Sequence, residues 1–252
     1  MSIKDFKGRV ILITEAATGI GRATALAFAR RGAKVAIGDV DERAQETVAL
    51  IQQDGGEAAF FKTDVTSSEQ LKSLVQKTVE TFGGLHHAFN NAGVLNTPAK
   101  FVAIEEDTFE KVMAVDVKGV FFAVKHELEY MIANGGGTIV NTASVAGLIA
   151  DPNMAPYVTA KHAVTGLTKA AAIDHAQDGI RVNAVAPGLT ETPMTQMWKD
   201  NPAVWEEVVS NVPMHRSAKP EEIAEVVVFL SSDAASFCNG YIYAVDGGQV
   251  AH

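Results

Sequence analysis

The sequence predicts an α/β fold in which a parallel sheet of about seven strands is wound with helices on both faces. Three observations carry that expectation. Short apolar runs rich in β-branched residues alternate with amphipathic helical stretches at the spacing of strand–helix units. The first of these runs is followed by a glycine-bearing turn and then a helical stretch. The polar motifs fall at or just after the ends of the apolar runs, or on the helix that follows, where open parallel sheets hold their ligands.

Taken in order, Val10–Thr14 is the first predicted strand. It leads into Glu15-Ala16-Ala17-Thr18-Gly19-Ile20-Gly21. A helix starting near Gly19 presents unpaired backbone N–H groups and a positive dipole end, the usual seat of a pyrophosphate. The second strand, Lys34–Gly38, ends in Asp39, eighteen residues beyond Gly21 and close to the spacing at which an acid receives the adenosine ribose hydroxyls. Strand, glycine turn, helix and acid together predict dinucleotide binding. The remaining strands are expected at Ala58–Lys62, His86–Asn90, Thr138–Asn141, Arg181–Ala186 and Tyr241–Val245, with a long helix between about Glu105 and Asn134.

Tyr157 and Lys161 stand four residues apart, thirteen residues after Ser144. On a helix, positions i and i+4 share a face, so the phenol and the ammonium point into the same space. A fixed cation favours phenolate and draws the phenol towards the range where it exchanges protons at neutral pH. Ser144 is then expected to hold the oxygen that gains or loses that proton. Such a pair is also common on solvated helices, and its weight comes from the motifs around it.

Those motifs resemble the short-chain dehydrogenase/reductase family over essentially the whole chain. The Ser144, Tyr157, Lys161 spacing matches the family's catalytic signature. In family order follow Asp64-Val65, Asn90-Asn91-Ala92-Gly93, Pro187-Gly188 with Thr190 to Met194, and Asp246-Gly247-Gly248. Gly83-Gly84-Leu85, Asn141-Thr142-Ala143-Ser144 and Ala160-Lys161-His162-Ala163-Val164 are most similar to bacterial members acting on cyclic or bulky secondary alcohols and ketones.

The resemblance implies a Rossmann-type sheet and reversible hydride transfer with Tyr157 as general acid/base. It implies a cofactor site built from Thr14, Gly19, Ile20, Gly21, Asp39, Asp64, Val65, Asn90, Ala92, Gly93, Tyr157, Lys161, Pro187, Gly188, Leu189 and Thr192. In that likeness Asp64 or Val65 reaches the adenine edge, Asn90 lines the adenosine side, Thr192 approaches the carboxamide and Lys161 also holds the nicotinamide ribose. NAD(H) is expected over NADP(H), because Asp39 repels a 2′-phosphate and no Arg or Lys stands in the turn before Arg22. A homotetramer is also implied, built in part through the long helix. Its apolar positions Phe109, Val112, Val117, Val120, Phe121 and Val124 could equally face the sheet.

Two residues depart from the family pattern. Glu15 stands where the first glycine of the cofactor loop is usual, and a left-handed residue with a side chain there costs roughly 1–2 kcal/mol. Its carboxylate turns outwards, accepts from the adenosine ribose, or repels the phosphates. Asp116 occupies the place of an Asn whose backbone carbonyl completes a proton relay at a helix irregularity, a carbonyl that Asp also supplies. The alternative is a purely structural Asp.

A substrate lid is expected at about 189–215, bearing Met194, Met197, Trp198, Trp205 and Met214, with Leu95, Val145 and Met154 nearby. Such a lining suits an apolar ketone or secondary alcohol. A 3-oxoacyl-carrier reductase and a cofactor-impaired scaffold are the competing readings. His162 and His215 are expected to be packed or surface imidazoles.

Composition narrows the class. The chain of 252 residues suits one catalytic domain over 1–252, with no linker or repeat. A formal charge of −9 argues against nucleic acid as a partner. The one cysteine, Cys238, excludes an internal disulfide and fits a reducing cytoplasm. Neither a leader core at Met1–Phe6 nor a membrane-spanning run is evident, and no Cys/His cluster has zinc spacing.

Overall fold

The structure is a computed structural model describing residues 5–251. Residues 1–4, part of the segment read as lacking a leader core, and His252 lie outside the described residues. Seven strands form one sheet in the order β3-β2-β1-β4-β5-β6-β7, and every neighbouring pair is parallel. The strands are β1 Val10–Thr14, β2 Lys34–Asp39, β3 Glu57–Lys62, β4 His87–Asn90, β5 Gly137–Thr142, β6 Ile180–Pro187 and β7 Ile242–Val245. The sequence-read strands agree to within a residue at each end.

Period-two alternation divides the core between two faces. Ile11, Ile13, Val35 and Ile37 pack on one side with Phe28 and Val227. Leu12, Ala36, Ala88 and Ile139 pack on the other with Leu74, Val124 and Val164. Burial on both faces is why the strands read as continuous apolar runs.

The helices are α1 Gly19–Arg30, α2 Ala44–Gln53, α3 Ser68–Phe82, α4 Glu106–Val112, α5 Val120–Ala133, α6 Ala155–Asp174, α7 Gln196–Lys199, α8 Pro202–Ser210 and α9 Pro220–Ser231. Local chemistry sets several ends. Ser67 Oγ accepts from the Gln70 N–H at the start of α3, and Gly83, with a φ of 85°, stops it. Pro220 opens α9 with Glu221 and Glu222 in its first turn. The long helix predicted from Glu105 to Asn134 is interrupted, because Met113–Gly119 winds as a π-helix between α4 and α5. Its apolar positions divide: Val112, Val120 and Val124 are buried, whereas Phe109 and Phe121 are exposed.

The chain steps outward from β1 to β3, then returns to lay β4 against the other side of β1. Between β1 and β4 the strand order reverses, which opens a crevice beyond the carboxyl ends. Segment 189–218 rises over that crevice as α7 and α8 and is tied at its base by the Thr190–Ala218 bridge.

Candidate active site

The β1 end is stitched to the β4 end by Thr14, whose Oγ1 accepts from the N–H groups of Asn91 and Ala92 at 3.0 and 3.2 Å. Beyond it the chain turns and starts α1 at Gly19, with Thr18 extended, no side-chain cap and no acid in the first turn. The first N–H groups of α1 are therefore available to an anion. Gly21 serves close packing: a Cβ there would lie 2.0 Å from the Glu15 carbonyl oxygen.

On the catalytic side, α6 carries Tyr157 and Lys161 to the end of β5. Lys161 is 2 % exposed and Asp116 is fully buried, and Nζ stands 3.0 Å from Asp116 Oδ2. The ammonium also donates to the Thr142 carbonyl at 3.1 Å and lies 5.4 Å from the centre of the Tyr157 ring. Asp116 Oδ1 accepts from the Val94 N–H at 2.8 Å. Its backbone sits inside the π-helical segment, the irregularity expected there. Ser144, just past β5, accepts from the Ala146 N–H through Oγ at 3.1 Å.

These charges act on one another. For Lys161, burial is the largest influence and pushes the ammonium down, but Asp116 and Tyr157 together carry it above its ordinary value, so it is a fixed cation. For Tyr157, burial raises the phenol, and the opposing Lys161 does not overcome it. The pull of the lysine on the phenol is thus outweighed by burial: the ring is half-buried by area but closely enclosed, and Asp116 cancels part of the lysine's field.

Glu15 adopts the left-handed conformation a glycine would favour, with a φ of 55°. Its side chain turns into the cavity wall rather than outward. Oε2 accepts from the Gly93 N–H at 2.9 Å, and burial pushes the carboxyl up to about 7. The other flank of Gly93 faces the ion pair, where a Cβ would lie 3.1 Å from Asp116 Oδ2 and 3.2 Å from Lys161 Nζ.

A cavity of about 560 Å³ joins the two halves. Of the sequence-predicted residues it brings together Gly19, Ile20, Gly93, Leu95, Ser144, Val145, Met154, Tyr157, Lys161, Pro187, Gly188, Leu189, Thr192, Met194 and Trp198. Thr192 comes down onto the glycine turn, such that a Cβ at Gly19 would sit 3.2 Å from its Cγ2.

Other predicted residues stand outside the lining. Asp39 is buried at the end of β2, with its oxygens accepting from the Ala17 and Asp41 N–H groups at 2.9 Å. Asp64 caps its own loop through Thr66, and Val65 packs against Gly119. Asn90 does not line the adenosine side. Its amide turns into the core and donates to Glu127 and Asn141, because the pleat sends it opposite to Asn91. Met197 and Met214 are exposed, and Trp205 lies in a separate open groove with Lys199 and His215, so these three are removed from the lining. His162 is a surface residue bonded to the Val158 carbonyl.

The sequence reading missed Asn91, Asp151, Glu207, Asn211 and Gln249. For Asn91 the period-two rule supplies a signal, since one member of the Asn pair had to face the crevice. For Glu207 on α8 and Asn211 at its C-cap the i, i+4 spacing is a weak one. Gln249 arrives through the turn after β7, and no local pattern announces it.

The residues present suit a nicotinamide dinucleotide: an uncapped helix N-terminus at the switch point, Gly19 and Gly93 in the lining and a fixed ammonium. Glu15, on the turn before α1, is at odds with the negative charge of such a ligand, and Asp151 and Glu207 are two further acids in the lining.

Comparison with known proteins agrees with this geometry. A family model described as enoyl-(acyl carrier protein) reductase matches residues 16–249. Cyclohexanol dehydrogenase of Acinetobacter sp. is 44 % identical over 98 % of this chain and 96 % of its own. A 2,5-dichloro-2,5-cyclohexadiene-1,4-diol dehydrogenase of Sphingobium indicum is 42 % identical over 99 % and 100 %. Among solved structures, levodione reductase superposes with a TM-score of 0.94 at 37 % identity, covering 98 % of this chain and 99 % of its own. A neighbour from Agrobacterium tumefaciens, at 34 % identity with full coverage of both chains and a TM-score of 0.91, holds NADP.

Proposed function

The chain belongs to the short-chain dehydrogenase/reductase family of oxidoreductases, and from that premise we propose that it is an NAD-dependent enzyme interconverting apolar cyclic secondary alcohols and their ketones. The observation that carries this reading is Lys161, buried and clamped between Asp116 and Thr142 beneath the Tyr157 ring, on a cavity whose other walls include Leu95, Val145, Met154, Met194 and Trp198. The names of the relatives, which act on ring alcohols, support the substrate class.

When bound, the nicotinamide supplies the hydride acceptor or donor. The chain's own residues handle the proton. In oxidation the alcohol proton passes to Tyr157 Oη, and in reduction Tyr157 Oη returns it to the carbonyl oxygen. Ser144 Oγ holds the substrate oxygen beside the phenol. Lys161, the one cation lining the cavity among the described residues, favours the phenolate against burial, and Asp116 fixes its position. Water is displaced by the apolar wall under segment 189–215, which serves as a lid hinged at the Thr190–Ala218 bridge.

The preference for NAD rests on Asp39, whose carboxylate at the end of β2 opposes a 2′-phosphate. One catalytic domain over 1–252 acts in the cytoplasm and associates as a homotetramer, for which the exposed Phe109 and Phe121 of the long helix offer an apolar face. No helix among the described residues is long and apolar enough to cross a membrane. The test is initial-rate measurement on cyclohexanol and an open-chain secondary alcohol with NAD⁺ and with NADP⁺. The reading expects turnover of the ring alcohol and at least a tenfold preference, about 1.4 kcal/mol, for NAD⁺. Equal use of NADP⁺ would overturn the cofactor assignment, and no turnover of any alcohol or ketone would overturn the activity.

A further inference from the structure

Glu15 stands on the turn before α1 and is one of three acids lining the cavity that the proposed reaction does not use. Its N–H donates to the Gly38 carbonyl at 2.9 Å, its carbonyl accepts from the Asn91 side chain at 2.9 Å, and Oε2 accepts from Gly93. These bonds reach two neighbouring strand ends and hold the side chain in the cavity wall. The charges facing it are Asp39 from β2, Asp116 from the π-helical segment and Lys161 from α6, with the Tyr157 phenol on the same helix. Asp151 and Glu207 add two more acids to the lining. Lys161 already serves Asp116 and Thr142, so among the described residues Glu15 has no cation of its own. Desolvation of that lone carboxylate puts its titration at about 7.

We propose that Glu15 sets the charge state in which this cavity accepts a dinucleotide: the neutral carboxyl admits a pyrophosphate drawn to the α1 N-terminus, and the carboxylate opposes it. This rests on the dehydrogenase reading above. The Gly93 N–H donates to the carbonyl oxygen of a neutral carboxyl as it does to a carboxylate, so protonation changes the charge and leaves the loop in place. Linkage then works both ways, since bound phosphates make Glu15 hold its proton more tightly by the factor by which its ionisation weakens their binding. NADH carries one more negative charge than NAD⁺, so ionised Glu15 disfavours the reduced form more, and the cavity leans towards NAD⁺ as pH rises.

The experiment is a fluorescence titration with NADH, and calorimetry with NADH and NAD⁺, at pH 6 and pH 8.5, on the unchanged protein, Glu15→Gln and Glu15→Gly. With titration at about 7, the neutral share falls from about nine-tenths to about three-hundredths over this range, so the Kd for NADH rises about thirtyfold. In Glu15→Gln, which keeps an acceptor for Gly93, it stays within about threefold, and Glu15→Gly behaves alike without the side chain. Calorimetry in buffers of different ionisation enthalpy reads uptake of about one proton at pH 8.5 in the unchanged protein and none in either variant. A flat Kd in the unchanged protein, or the same thirtyfold rise in Glu15→Gln, overturns the proposal and leaves the dehydrogenase reading standing. Failure of all three proteins to bind either dinucleotide at any pH overturns that reading, and this proposal with it.

Discussion

Gly93 separates two acids held in opposite conditions, Asp116 buried behind the cavity wall and Glu15 lining it. On one flank Asp116 is fully buried, faces Lys161 at 3.0 Å and takes a backbone N–H from Val94. On the other, Glu15 has only the Gly93 N–H, and its carboxyl is carried up to about 7. The difference teaches that burial alone does not decide whether an acid steadies a site. An acid with its cation fixes a charge, while an acid without one waits on a proton.

Removing each acid sharpens that contrast, because the two losses have opposite signs. Asp116→Ala strands the Lys161 ammonium in the interior and is expected to cost about 3–5 kcal/mol of stability, read from urea unfolding at pH 7.5. An unchanged midpoint would mean that Lys161 finds another partner. Glu15→Gln is expected to stabilise instead. The folded carboxyl titrates at about 7 against 4.5 when unperturbed, so the native state holds the proton more tightly. Its contribution is intact below pH 4.5 and is lost as pH rises towards 7. The variant should therefore match the protein at pH 4 and exceed it by up to roughly 3 kcal/mol at pH 8.5. A gain of equal size at pH 4 would contradict the linkage. Gly93→Ala probes the wall between the acids. Its Cβ would crowd Asp116 and Lys161, and overpacking of this kind costs about 1–3 kcal/mol. Melting unchanged from the parent would show that the wall yields.

Features set by neighbours in sequence were legible without a structure. Tyr157 and Lys161 share a helix face because four residues make about one turn, and the strands declared themselves because both faces are buried. Long-range features were not. Asn90 and Asn91 are adjacent letters, and only the pleat and the partners Glu127 and Asn141 decide which one leaves the cavity. The direction of Glu15 is set by Gly93, which arrives from β4, and the turn's own residues hold no record of that donor. Met197, Met214 and Trp205 were read into the lining from composition, but α7 and α8 present Trp198, Val204, Glu207 and Val208 to the cavity instead, and Met214 lies in the loop after α8. The fall in Tyr157 acidity on burial likewise depends on the whole enclosure.

The central claim is that Tyr157 moves the substrate proton in a cavity that binds NAD. Its most direct test is the rate of NADH formation from cyclohexanol in the protein and in Tyr157→Phe, alongside NADH binding to both at pH 6. The account predicts dinucleotide affinity within about threefold and a rate lower by roughly 10²–10⁴ in the variant, the usual share of a general acid/base. A Tyr157→Phe enzyme that binds NADH equally well and turns over within tenfold of the parent would contradict it.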